Sequence, residues 1–161
     1  MNLEGFLLKQ FRKTRLYRML TVYQYVALNL PKVITLVGAG LLLGLAGVHI
    51  YILVSESALP TWAFAATVAF IVICFVAAVM LTLRPVVWAG WALGVIASIA
   101  FVVFYVVSRL AGLPGMPEAR TWWDYSPGSL AGACALMYLG LSASIPLGIV
   151  IAYPQKRAWH D

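Results

Sequence analysis

The sequence predicts an all-α membrane protein, with four transmembrane helices in an antiparallel bundle plus an N-terminal amphipathic interfacial helix. Three observations favour this fold class: 63% of the 161 residues are hydrophobic, only 10% are charged, and the long apolar runs contain no Lys, Arg, Asp or Glu in their interiors. Soluble domains are usually about 45–50% apolar and about 25% charged. The composition therefore excludes an ordinary soluble fold and a nucleic-acid-binding module.

Four apolar stretches are long enough to cross a membrane as helices, since a spanning helix needs about 20 mostly apolar residues. They cover about residues 33–54, 62–83, 86–108 and 129–153. A β-barrel would show short alternating segments instead. The chain is thus divided into a basic arm, residues 1–30, and a four-helix transmembrane domain, residues 31–161. Only Leu83-Arg84-Pro85 separates the second and third spans, which predicts a tight hairpin.

The N-terminal arm has an apolar and a basic side at helical spacing. Leu3, Phe6, Leu7 and Phe11 share one face of a predicted helix. A basic amphipathic helix of this kind is typical of a segment that lies on anionic headgroups, and the alternative is that it docks on a partner subunit. The basic residues assigned to this docking surface are Lys9, Arg12, Lys13, Arg15 and Arg18.

The basic residues also predict how the chain is oriented. Nine of the eleven Lys and Arg residues fall on one side of the predicted spans, and only Arg109 and Arg120 fall on the other. Because basic loops are retained in the cytoplasm, both termini are expected there. The protein is therefore expected to be a multi-pass protein of a bacterial cytoplasmic membrane.

Small residues recur at four-residue spacing in three of the spans. In lipid, such residues let helix backbones approach each other closely. They are expected to serve helix packing, either within the bundle or against further subunits. The residues are Gly40, Gly44, Gly90, Gly94, Gly140, Ser144 and Gly148.

One histidine lies at membrane depth, and a group of polar residues is expected beside it. His49 lies near the outer third of the first span, and Glu56 follows two helical turns later on the same face. His49 could be a core histidine bonded to a carbonyl, or it could contact haem, a metal or a quinone. A polar cap over an outer cavity is predicted from Glu56, Arg109, Glu118, Arg120, Asp124, Trp122 and Trp123.

The residues that are missing argue against catalysis by the chain alone. Cys74 and Cys134 form no CxxC pair. A small proton-coupled exporter would require a carboxylate inside a span, and no span contains one. A haem with two histidine ligands would need a second histidine at membrane depth, so the second ligand would have to be a methionine or come from a partner. We therefore expect no catalytic residue, no metal site and no intrinsic cofactor. The expected ligand is bound lipid, and haem or quinone is the alternative.

Two motifs resemble a known group of proteins. The first span contains Gly47-Val48-His49-Ile50-Tyr51, and the third ends in Ser108-Arg109-Leu110-Ala111-Gly112-Leu113-Pro114-Gly115. A Pro-Gly-Ser-Leu sequence, residues 127–130, then leads into the fourth span. These features resemble small four-span membrane proteins common in actinobacteria, with a GVHL-like first span and an SRxxGLPG outer loop. The resemblance implies the four-span topology rather than a mechanism, and Thr121-Trp122-Trp123-Asp124 departs from the group's pattern.

Three functions remain open from the sequence. The leading one is a non-catalytic accessory or structural subunit of a larger membrane complex, with respiratory or electron-transfer complexes as an analogy. The second is a haem-, quinone- or lipid-binding membrane subunit that uses the region of His49. The third is a small homo-oligomeric transporter or channel. The expected partners are other membrane subunits and, through the arm, anionic lipids, but not nucleic acid.

Overall fold

The computed structural model describes residues 31–56, 59–147, 149–150 and 152–153, a part of the chain that is helical and contains no strand. The four long helices are α1 (Pro31–Ser55), α2 (Thr61–Thr82), α3 (Val87–Ala111) and α4 (Ser126–Ser144). Two 3₁₀ segments, Arg84–Val86 and Pro117–Asp124, connect them. The N-terminal arm, with Lys9, Arg12, Lys13, Arg15 and Arg18, lies outside the described residues.

Three helical segments are long and apolar enough to cross a membrane: α1, α2 and the segment Arg84–Ala111, which contains α3. These match the first three predicted spans to within a few residues. Helix α4 has 19 residues and is the least apolar of the four. The described part of the chain is therefore all-helical, with several helices suited to a membrane.

Proline and glycine mark the ends of α2 and α3. Leu83, the residue after α2, has an extended conformation, and Pro85 lies in the 3₁₀ turn between α2 and α3. Proline fits the first turn of a helix because the amide it lacks would have no partner there. At the other end of α3, Gly112 has a φ of 77° and donates its amide to the carbonyl of Ser108. A positive φ suits glycine, which carries no Cβ.

Helix α4 ends earlier than the predicted span 129–153. Pro146 has no N–H to continue the helical hydrogen bonds, and the amides of Ile149 and Val150 both turn back to the carbonyl of Ser144, at 3.1 and 3.3 Å. Beyond this turn, Ala152 and Tyr153 are buried. The chain therefore folds back on the bundle after Ser144.

The helices pack as a ring in which α1 and α3 each contact both α2 and α4. Beside Gly38 of α1, the rings of Trp91 and Tyr138 stack with centroids 5.5 Å apart. The indole Nε1 of Trp91 donates to the carbonyl of Tyr153 at 3.1 Å, and the Tyr153 amide donates to Thr35 Oγ1 at 3.2 Å. These bonds tie the folded-back segment to α1 and α3. We call the part of the bundle around Thr35, Trp91, Tyr138 and Tyr153 the packed half.

The small residues of the spans have different surroundings. A Cβ on Gly90 would lie 2.8 Å from the backbone nitrogen of Leu81, and one on Gly94 would overlap the phenol of Tyr138. A Cβ on Gly44 would lie 3.5 Å from Cys134 Sγ. The other residues of the set make no contact of this kind in the described structure: Gly40 and Gly140 face open space, Ser144 bonds the carbonyl of Leu141, and Gly148 is outside the described residues.

Candidate ligand-binding cavity

A cavity of about 380 Å³ lies between the helices at the end opposite the packed half. All four helices, the segment Pro117–Asp124 and the loops beside it contribute to its mainly apolar wall. This volume is within the range of about 300–1,000 Å³ that is typical of small-molecule sites. The wall is formed by His49, Ile52, Glu56, Leu59, Trp62, Ala63, Ala66, Thr67, Phe70, Ala100, Phe101, Phe104, Tyr105, Ser108, Arg109, Leu113, Met116, Trp122, Tyr125 and Gly128.

His49 lies in the part of the cavity nearest the packed half and is oriented by its own helix. Its Nδ1 lies 2.8 Å from the carbonyl oxygen of Leu45. A carbonyl only accepts, so Nδ1 carries the proton, and in the neutral ring Nε2 is the acceptor. The imidazole packs against Phe70 and Phe101, with centroids 4.6 and 5.3 Å away. The geometry thus includes the carbonyl bond of a core histidine on a ring that also lines the cavity.

Arg109 lies at the other end of the cavity and is 7% exposed. Its guanidinium carbon lies 4.6 Å from the ring centroid of Tyr105, and Nη1 donates to Ser108 Oγ at 3.2 Å. Its Nε is buried with no hydrogen-bond partner. Among the side chains described, no carboxylate forms an ion pair with Arg109. The guanidinium is therefore a buried cation held by a neutral hydroxyl and an aromatic face.

Tyr125 and Glu56 form a hydrogen bond at the same end of the cavity. The Tyr125 hydroxyl donates to Glu56 Oε1 at 3.2 Å. Burial raises the pKa of the Tyr125 phenol, the Glu56 carboxylate raises it further, and Arg109 acts in the opposite direction. The phenol is consequently protonated at neutral pH and remains a donor to Glu56.

A hydrogen bond joins the start of α2 to the loop after α3 at this end of the cavity. Trp62 Nε1, at the start of α2, donates to the carbonyl of Pro114 at 3.2 Å. Leu113 and Met116 pair through both of their backbone groups and bring two further side chains to the wall. The tight turn between them contains Gly115, which has a φ of 80°. The loop that follows α3 is thus a structured part of the site.

The structure brings together only some of the residues predicted to form the polar cap. His49, Glu56, Arg109 and Trp122 all line the cavity. Three others are exposed and do not line it: Arg120, Trp123 and Asp124. The side chain of Glu118 is outside the described structure.

The sequence reasoning missed most of the aromatic wall. The rings of Phe101 and Tyr105 lie 5.9 Å apart, and Arg109 lies over Tyr105. Phe101, Tyr105 and Arg109 follow each other at four-residue spacing, which places them on one face of α3. This spacing was the available signal. Phe70 comes from α2 and carries no comparable signal, because it lies in a run that is apolar on every side.

The described residues contain no group of three or more His, Cys, Asp or Glu side chains that could hold a metal ion. Cys74 is fully buried and Cys134 half-buried, and both are free thiols. The chain matches no protein-family model, no curated protein and no solved structure.

Proposed function

We propose that the protein is a small membrane subunit that binds an amphipathic ligand in the cavity beside His49. The observation that carries the proposal is the cavity itself, about 380 Å³ with a mainly apolar wall and a few polar groups at one end. An apolar wall with a small number of placed polar groups is typical of small-molecule sites. A single acyl chain or a ring system would occupy the apolar part, while its polar end would lie near Arg109 and Tyr125.

The proposal includes a four-span antiparallel topology with both termini in the cytoplasm. In this arrangement α4 forms the fourth crossing. Support comes from the distribution of basic residues, nine of eleven on one side. The cavity would then open toward the outer half of the membrane, and the packed half would face the cytoplasm.

The ligand-binding chain would work as an accessory subunit of a larger membrane complex rather than as an enzyme on its own. Exposed small residues support this, because Gly40 and Gly140 face open space and would let another helix approach closely. The N-terminal arm would add a contact to a partner subunit or to anionic lipid. A native membrane extract in mild detergent should contain the chain in a species larger than its own 17.6 kDa; a stable monomer as the sole form would contradict the subunit role.

Cavity binding is tested with a fatty acid and its methyl ester, both dibrominated in the acyl chain, added to the protein in lipid nanodiscs. Bromine quenches tryptophan fluorescence at short range, and Trp62 and Trp122 line the cavity. We expect a saturable quenching component in the wild type. The substitutions Ala66→Phe and Ala100→Phe, which place a ring in the cavity, should remove it.

The matched control is Ala65→Phe, on the same helix as Ala66 but outside the cavity lining. It should keep the saturable component and report only non-specific quenching from the bilayer. If neither probe shows a saturable component that responds to Ala66→Phe, the cavity is not a ligand site.

A quinol is the second candidate ligand, and one observation favours it. Because the Leu45 carbonyl holds the proton on Nδ1, neutral His49 presents Nε2 as an acceptor, which suits a ligand hydroxyl. Phe70 and Phe101 would stack on the ring of such a ligand. The visible and ultraviolet spectrum of the extracted protein tests this candidate and the haem alternative together, since each group has its own absorption bands; a His49→Leu variant should lose them.

A further inference from the structure

The geometry points to a ligand with a single apolar chain and an anionic head, a carboxylate or a phosphate, that pairs with Arg109. This inference rests on the proposed function and narrows it to a chemical class. Arg109 is 7% exposed, lines the cavity, and has a buried Nε without a partner. Charged side chains are almost never buried to this degree unless they are paired.

The protein's own groups compensate the Arg109 charge only in part. Ser108 offers a neutral hydroxyl, and that hydroxyl itself donates to the Tyr105 carbonyl at 2.7 Å. The Tyr105 ring stabilises the cation through its face. Neither group supplies a negative charge. An anionic head beside the guanidinium would do so and would gain charge-assisted hydrogen bonds in a region of low dielectric.

The absence of a side chain at Gly128 of α4 makes space for the Arg109 side chain. A Cβ at Gly128 would come within 3.1 Å of Arg109 Nη2 and of Tyr105 Cε2. Glycine therefore lets the guanidinium lie directly against α4, at the edge of the cavity. The chain of the ligand would extend from this point along Phe101 and Phe104 toward His49.

The second charged group at this end of the cavity is Glu56. Its charge predicts whether an anionic ligand binds more tightly or more weakly when Glu56 is neutralised. Its carboxylate accepts from Tyr125, which holds it on the side of the cavity formed by α1 and the loop before α4. An anionic head near Arg109 would be repelled by Glu56. The substitution Glu56→Gln should therefore tighten binding of an anionic ligand a few-fold. A zwitterionic head with its cation on Glu56 would show the opposite change.

The first test compares the dibrominated fatty acid with its methyl ester in wild-type protein. The two probes share the chain and differ in the charge of the head. Hydrogen bonds to charged groups contribute more than neutral ones, so the acid should bind at least about tenfold more tightly than the ester. A lysophosphatidic acid with the same brominated chain distinguishes a phosphate head from a carboxylate head. Whichever of the two anions binds more tightly identifies the head group. Equal affinity for the ester and both anions overturns the inference.

The second test assigns the charge effect to Arg109. In Arg109→Gln the ratio of acid to ester affinity should fall to near one, whereas Arg120→Gln, an exposed arginine outside the cavity lining, should keep it. An unchanged ratio in Arg109→Gln overturns the assignment. If that variant does not fold, the wild-type ratio and the tightening in Glu56→Gln decide. Loss of binding for acid and ester alike, together with no effect of Ala66→Phe, would instead show that the proposed function has failed.

Discussion

At the scale of single residues, Gly94 and Gly40 belong to the same four-residue pattern and have opposite surroundings. A Cβ on Gly94 would overlap the Tyr138 phenol, and Tyr138 is fully buried and donates its hydroxyl to the Trp91 carbonyl. The substitution Gly94→Ala should therefore destabilise the fold by about 1–3 kcal/mol through overpacking. Thermal unfolding in mild detergent measures the change.

The control is Gly40→Ala, where a Cβ meets nothing within 4 Å. Alanine is the better helix former, so this variant should match or exceed the stability of the wild type by up to about 1 kcal/mol. Equal unfolding temperatures for the two variants would show that Gly94 is not at a tight contact.

The hydrogen bond between Tyr125 and Glu56 predicts a pH dependence. Burial and the Glu56 carboxylate raise the pKa of the Tyr125 phenol above its ordinary value near 10. A raised pKa in the folded state means that the contribution to stability is complete below pH 10 and is lost as the pH rises through the folded-state pKa. The Tyr125 phenol therefore remains a donor across the physiological range and loses its proton in alkali.

The substitution Glu56→Gln removes the carboxylate and should lower the pKa of Tyr125 toward its ordinary value. Carbon-13 NMR of ring-labelled tyrosine during an alkaline titration measures this, with Tyr125→Phe used to assign the signal. A Tyr125 pKa that does not fall in Glu56→Gln would contradict the contact.

At the scale of elements, the helices were more predictable than their ends. Helices α1, α2 and α3 lie close to the predicted spans because a run of about 20 apolar residues has few alternatives to a helix. The exception is α4, which stops at Ser144 where the span was expected to reach residue 153. Hydropathy continues through Pro146, so apolar content alone does not show that the hydrogen bonds end there.

The segment that folds back after α4 depends on contacts with α1 and α3. In Trp91→Phe the donor to the Tyr153 carbonyl is lost, together with part of the stacked ring on Tyr138. We expect a loss of about 1–3 kcal/mol and faster hydrogen exchange at the Tyr153 amide, which donates to Thr35. Hydrogen-exchange mass spectrometry measures the second effect.

Trp88→Phe is the matched control because Trp88 is on the same helix and is 61% exposed. It should leave exchange at Tyr153 unchanged. Similar protection of this amide in Trp91→Phe and in the wild type would mean that the segment is held by other groups.

At the scale of the whole molecule, the proposed topology predicts which residues can be labelled from outside the cell. In a background with Cys74→Ala and Cys134→Ala, a membrane-impermeant maleimide should modify Asp124→Cys in intact cells. It should modify Arg84→Cys only after the cells are opened. Modification of both positions from outside would exclude the four-span orientation with cytoplasmic termini.

The site was less predictable than the fold, for a physical reason. His49, Glu56 and Arg109 stand out because polar groups are costly at membrane depth or at its edge. The aromatic wall does not stand out, since a side chain that faces lipid and one that faces a cavity are equally apolar in a membrane helix. Only the assembled structure shows that Phe70 and Phe101 contact each other and His49 in a cluster of three rings.

The contrast between the packed half and the cavity has an evolutionary consequence. Close contacts at Gly90 and Gly94, together with the bonds around Trp91, hold the fold together on one side. The wall of the cavity is spread over all four helices and the loops beside them. Substitutions in the wall would therefore change the shape and polarity of the cavity, while the close contacts of the other half preserve the fold. Related chains should differ in the residues that line the cavity before they differ in architecture.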